Sequence, residues 1–133
     1  MVDSSDTNNS YRAKHLKVKR EDVPNRFFMP GDPGRIDFFK ELSNNLSVLS
    51  RNREFVVATG TYKGEDFGVC STGIGGGSAE IAVVELVQLG VESIVRTGGC
   101  GVIQKPIRPG SLILPSGAVR HGGATQFYIE PEF

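Results

Sequence analysis

Cysteine, histidine and net charge are all scarce in this 133-residue chain. Its two cysteines, Cys70 and Cys100, lie far apart and make no disulfide framework. Neither sits at a metal-ligand spacing, and His15 and His121 are too few to complete a structural zinc site. Fifteen Lys and Arg balance fifteen Asp and Glu. That balance leaves no basic footprint for nucleic acid or for an anionic membrane surface. No apolar run approaches the roughly 20 residues that span a bilayer. The N-terminus lacks the apolar core of a signal peptide. Together these absences predict a soluble cytoplasmic protein with no nucleic-acid or membrane partner. The length suffices for one domain with a real core.

What the chain does have is glycine, 17 residues of it, gathered at a few points. The clusters are "STGIGGGS" (Ser71–Ser78), "RTGGCG" (Arg96–Gly101) and "RHGGAT" (Arg120–Thr125). No unit repeats at a fixed period, so this is not a solenoid composition. Clustered glycine marks backbone that bends sharply or approaches a ligand closely.

Between the clusters, helical and strand patterns alternate. Residues 1 to 12 read as a small, polar, poorly ordered leader, with the domain occupying 13–133. Phe27–Met29 is a short buried strand. Asp32 then N-caps a helix, Pro33 fits its first turn, and Ile36, Phe39 and Leu42 share a face. "REFVVATGTY" and "DFGVCST" read as the strands of a hairpin around the turn "KGED" (Lys63–Asp66). Ser78–Leu89 is a mostly buried helix with Ser78 as N-cap, Glu80 in the first turn and Gly90 as its stop. Its polar positions Glu80, Glu85 and Gln88 fall on one narrow side. Ser93–Thr97 and Ser111–Arg120 complete the strands. The pattern predicts an α/β fold, a mixed central sheet flanked by helices.

Strand ends lead into Gly-rich loops at Gly31, at Gly73–Gly77 and at Gly98–Gly101, and in open α/β sheets such ends are where ligands bind. The first of these loops, "MPGDPGR" (Met29–Arg35), is the most heavily punctuated. A helix N-terminus offers unpaired N–H groups and partial positive charge, and phosphate is its usual guest. Gly31 lets the backbone approach an anion, and Arg35 adds a bidentate donor one turn in. Arg96, ending another strand, supplies a second arginine. On these residues alone two readings stand: an oxyanion cradle, or a capped turn with two solvated arginines. A dinucleotide fingerprint fits "TGIGGGS" poorly. Ser78 holds the third glycine position, and the strand that should end in an acidic residue ends in Arg96.

At this point the motifs resemble a family. "MPGDPGR", "REF", "CSTGIGGGSAEIAVVELVQLG", "RTGGCGVIQ" and "PGSLILPSGAVRHGGAT" follow the order and spacing of nucleoside phosphorylases of the uridine phosphorylase and hexameric purine nucleoside phosphorylase type. The resemblance runs from about His15 to Phe133. "GVIQ" and the pair His15–Leu16 are more like the uridine enzymes, whereas "GGCG" lies closer to the purine enzymes. It implies phosphorolysis of a nucleoside, uridine by preference, to free base and ribose 1-phosphate. No cofactor is implied beyond inorganic phosphate as co-substrate. By this resemblance Arg35 and Arg96 are the catalytic arginines, and Gly31, Arg35, Arg53, Arg96 and Gly99 bind phosphate. Arg53 would act across a dimer interface, and His15 would reach the ribose of a neighbouring subunit. A homo-oligomer built on dimers, up to a hexamer, follows. Glu54, Ile74 and Ser78 match positions that hold a potassium ion between subunits in some uridine phosphorylases.

The chain departs from that family in two ways. Where the uridine enzymes carry Thr-Thr and the purine enzymes Ser-Cys, it has Gly99-Cys100. Gly99 keeps its N–H but offers no hydroxyl, a loss of about 0.5–1.5 kcal/mol for a neutral hydrogen bond. The family's chains are also about twice as long. Their base-reading Gln and Arg and the Met-Glu pair on the ribose diol lie in the second half. The expectation is therefore the phosphate-binding half of a longer enzyme. The alternatives are a non-catalytic truncated relative that binds phosphate or nucleoside, and a purine nucleoside phosphorylase.

Overall fold

The computed structural model describes residues 11–43, 45–119, 123, 127 and 128. It contains five strands: β1 (Arg26–Pro30), β2 (Ser47–Asn52), β3 (Phe55–Tyr62), β4 (Glu65–Cys70) and β5 (Ser93–Thr97). They form one sheet in the order β2-β3-β4-β1-β5. β1 runs parallel to both β4 and β5, while β2, β3 and β4 make two antiparallel hairpins. The predicted mixed sheet is thus present. The hairpin expected around Lys63–Asp66 joins β3 to β4 through Lys63 (φ 51°) and Gly64 (φ 85°). Two successive positive φ angles are what a two-residue hairpin turn of matching twist requires.

Elements pack on both faces of the central strands, while the edge strands β2 and β5 stay largely exposed. On one side pack the helix α1 (Gly76–Gln88) and the turn at residues 13–18, enclosing Leu16, Phe27, Met29, Phe55, Val57, Cys70, Leu86 and Leu89. On the other lies a 3₁₀ helix, Pro33–Glu41, burying Ile36 against Val56, Ala58, Phe67 and Val69. A 3₁₀ helix repeats every three residues. That period puts Ile36, Phe39 and Leu42 in one line, as the sequence predicts, and the line runs from buried Ile36 out to exposed Leu42. Asp32 caps this helix: its Oδ1 accepts the Gly34 N–H at 2.8 Å. Cys70 is sealed in the first core, where burial, with the Glu85 charge second, pushes its thiol up to about 12.

Four elements differ from expectation. β2 is a strand the sequence hides: it is an edge strand with most residues exposed, so its apolar alternation is faint. Arg53 sits in the β2–β3 turn at φ 55° and not inside a strand. α1 starts at Gly76, capped by Gly75 at φ 100°, so Ser78 is inside the helix and Glu80 lies beyond its first turn. The chain leaves helical geometry at Gly75, where glycine permits it, three residues before the polar side chain that looked like a cap. Residues 111–119 form no strand: Leu112 and Leu114 are exposed, and a strand holds only where its backbone pairs and one face is buried.

Residues 1–97 make one compact unit and residues 98–133 another. Within the second, Ile107 N–H and Ser111 N–H close short turns onto Gln104 and Arg108 carbonyls, and Gly110 takes φ 84°. The expected glycine cluster at Arg120–Thr125 lies, apart from Gly123, outside the described residues. No helix among the described residues is long and apolar enough to cross a membrane.

Candidate phosphate site

Because β1, β4 and β5 are parallel, their carboxyl ends meet at one end of the sheet. The antiparallel β3 begins at that same end, and β2 finishes there. Pairing of β1 with β4 continues past the strands. Thr72 N–H donates to the Pro30 carbonyl at 3.0 Å, and Gly73 N–H to the Gly31 carbonyl at 2.8 Å. Gly31 and Gly73 therefore lie side by side, each at the start of a loop.

Arg96 closes over this pair. Register sets it opposite Met29 in β1. Its Nη1 donates to the Met29 carbonyl at 3.1 Å and also to the Thr97 carbonyl. With Nη1 bonded to backbone, Nη2 lies 3.1 Å from where a Cβ on Gly31 would stand. A side chain there would press on the guanidinium, and the Gly73 carbonyl is 3.4 Å from the same point. Arg35 stands at the same β1–helix junction, half-buried, its N–H closing the helix onto the Asp32 carbonyl at 3.1 Å. Among the described residues its side chain makes no hydrogen bond or ion pair, and neither does that of Arg53. The sheet end thus gathers Gly31, Gly73 and a backbone-anchored Arg96, with Arg35 one turn into the helix. Gly99 is exposed and belongs to the second unit.

The residues matched to a potassium site also converge. A Cβ on Gly73 (φ 69°) would lie 2.8 Å from Glu54 Cβ and Cγ and 3.6 Å from Ser78 Oγ. Ser78 Oγ donates to the Ile74 carbonyl at 3.2 Å. These residues carry one carboxylate, one carbonyl and one hydroxyl, all hard oxygen donors. Among the described residues no group of three or more His, Cys, Asp or Glu is placed to hold a metal ion.

His15 is fixed by a residue that sequence reasoning placed on the wrong side of its helix. Glu85 was expected among the outward polar positions of α1, yet it is buried. Its Oε1 accepts His15 Nδ1 at 2.7 Å and His15 N–H at 2.9 Å; its Oε2 accepts Leu16 N–H at 2.8 Å. Burial alone would raise its carboxyl, but the Leu16 N–H, the His15 side chain and the His15 N–H together hold it below the ordinary value. The only signal in the sequence was an acidic residue surrounded by Val84, Leu86 and Val87. A pH consequence follows. A carboxyl lowered in the fold contributes stability that is complete above its unfolded pKa, about 4.3, and that is lost as pH falls through the folded value. Glu85→Gln is expected to lower Tm at pH 7 and to flatten the acid limb of Tm against pH. Parallel acid limbs for the two proteins would contradict this.

Comparisons with known proteins give the family and the fold. The model of the phosphorylase superfamily matches residues 26–133. A guanosine phosphorylase of Halorubrum lacusprofundi is 39% identical over 119 residues, covering 90% of this chain and 49% of that protein. A uridine phosphorylase of Thermococcus kodakarensis is 38% identical, with 90% and 43% covered. The crystal structure of uridine phosphorylase from Vibrio fischeri, complexed with 6-hydroxy-1-naphthoic acid, superposes with a TM-score of 0.84 at 39% identity, over 89% of this chain and 49% of that one. Purine nucleoside phosphorylase from Toxoplasma gondii, in complex with immucillin-H, gives 0.66 at 32% identity, over 68% and 36%. The chain belongs to the phosphorylase superfamily and has the nucleoside phosphorylase fold. It corresponds to the N-terminal half of its fuller relatives and spans about half their length.

Proposed function

We propose that this chain supplies the phosphate-binding half of a nucleoside phosphorylase, a pentosyltransferase acting by preference on uridine. The observation that carries the proposal is the anchoring of Arg96 over Gly31 at the carboxyl ends of three parallel strands. In the reaction, a phosphate oxygen attacks the anomeric carbon of the ribose. The glycosidic C–N bond breaks, its electron pair leaves with the base, and ribose 1-phosphate forms. Such chemistry asks for positioning and electrostatics more than for covalent catalysis. Arg35 and Arg96 hold and aim the phosphate, and the Gly31 backbone comes close to it. Gly99 adds its N–H. Arg53 serves the site of a partner across a dimer interface, and His15 reaches a neighbour's ribose, so the working form is a homo-oligomer. Glu54, Ile74 and Ser78 would hold a potassium ion between subunits, where it would brace the interface.

The relative from Halorubrum, a guanosine phosphorylase, favours a purine nucleoside as the second reading. Release of uracil from uridine and of guanine from guanosine, each with and without phosphate, separates the two. Residues 1–133 tested alone are expected to bind phosphate without measurable release of either base. Holding the ribose against the nucleophile is worth about 7–11 kcal/mol, and by the family resemblance the groups that grip the diol and the base lie in the half this chain does not span. Phosphate-dependent turnover by residues 1–133 would show that they contain a complete site. Base release that ignores phosphate would overturn phosphorolysis itself.

A further inference from the structure

His15 is held more firmly than an ordinary half-exposed residue at a chain turn. Glu85 grips its backbone and ring from α1. Asn52 Nδ2, at the end of β2, donates to the His15 carbonyl at 2.8 Å, and Ser50 Oγ donates to the Leu16 carbonyl. The ring meets Phe55, the first residue of β3, edge-on, with centroids 6.3 Å apart. Three elements of the fold thus fix one imidazole at the same end of the sheet as Arg96 and Gly31. A carboxylate only accepts hydrogen bonds, so Nδ1 must carry the proton. Nε2 has no partner among the described residues, and the side chain is 31% exposed.

We propose that Glu85 is a positioning residue: by holding Nδ1–H it sets the tautomer of His15 and leaves the Nε2 lone pair facing outward as an acceptor for a hydroxyl donor. This rests on the reading of His15 given under Proposed function, and the hydroxyl is then one of the nucleoside's sugar. Glu85 touches no reacting atom. It acts through the imidazole and through the backbone turn that carries it. A free histidine prefers no such fixed orientation, and a neutral imidazole with its proton on Nε2 would present a donor to the same hydroxyl.

Two measurements test this. Nitrogen-15 NMR of the imidazole in the unmodified protein is expected to show the proton on Nδ1. In the full-length enzyme, Glu85→Gln is expected to raise the KM for nucleoside roughly tenfold, the worth of one hydrogen bond, while the KM for phosphate stays unchanged. In a His15→Ala background the same substitution should add nothing, because its route to the substrate is gone. A neutral imidazole protonated on Nε2, effects of the two substitutions that multiply, or equal rises in both KM values would overturn the role of Glu85. The NMR result decides even if Glu85→Gln folds poorly. A wild-type enzyme that turns over no nucleoside would instead overturn the proposed function, a separate failure from an Nε2–H imidazole in an active enzyme.

Discussion

Replacing Gly68 with alanine is expected to destabilise the protein by about 3 kcal/mol or more, the upper end for overpacking a core. Gly68 in β4 pairs with Phe27 in the parallel neighbour β1. The Phe27 ring lies across the glycine: a Cβ there would stand 2.3 Å from Cζ and 2.4 Å from Cε2. Real carbon contacts do not come that close. The ring cannot yield, because Phe27 is 2% exposed and central to the core shared by α1 and the sheet. Phe27→Leu, which removes the overlapping edge, should partly rescue Gly68→Ala although it is itself costly. Chemical denaturation of the four proteins of the cycle checks this. Additive losses would mean that ring and glycine do not meet as described. The consequence reaches the site, since β1 and β4 deliver Gly31 and Gly73 to the sheet end.

Arg96→Ala is expected to weaken phosphate binding by about 1.5–3 kcal/mol, the range for hydrogen bonds to a charged group. Stability should change little, because Arg96 is exposed and its bonds to the Met29 and Thr97 carbonyls sit at the strand ends. Arg35→Ala should cost a similar amount of affinity. Arg96→Lys should recover only part of it: an ammonium keeps the charge but lacks the planar fork that can hold two carbonyls with one nitrogen and an anion with the others. Titration calorimetry with inorganic phosphate on the three variants reads this directly. Full affinity in Arg96→Ala would remove Arg96 from the site.

Much of this was legible in the residues because local rules and tertiary structure agreed. The Asp32 cap, the Lys63–Gly64 turn and the buried runs of β1 and β3 each carry their own signal. The pairing of glycine with arginine at strand ends is equally readable, and the fold brings Gly31 and Arg96 together. What stayed hidden depends on contacts distant in sequence. β2 is an exposed edge strand with little apolar contrast. Glu85 looks like a surface residue until the backbone of residues 15–16 arrives to be satisfied by it, some 70 positions away. The start of α1 followed the glycine that could take φ 100°, not the serine that could cap. Residues 111–119 carry a strand-like pattern, yet an apolar pattern makes a strand only where a paired neighbour is present.

The central claim, an oxyanion held between Gly31, Arg35 and Arg96, is tested most directly by amide and guanidinium NMR during a phosphate titration. Saturable shifts are predicted at the Gly31–Arg35 amides, at Gly73 and at the Arg96 side chain, with the turn around Lys63 and Gly64, at the opposite end of the sheet, unmoved. Shifts absent from Gly31 and Arg96, or spread evenly over the exposed cations, would contradict the account.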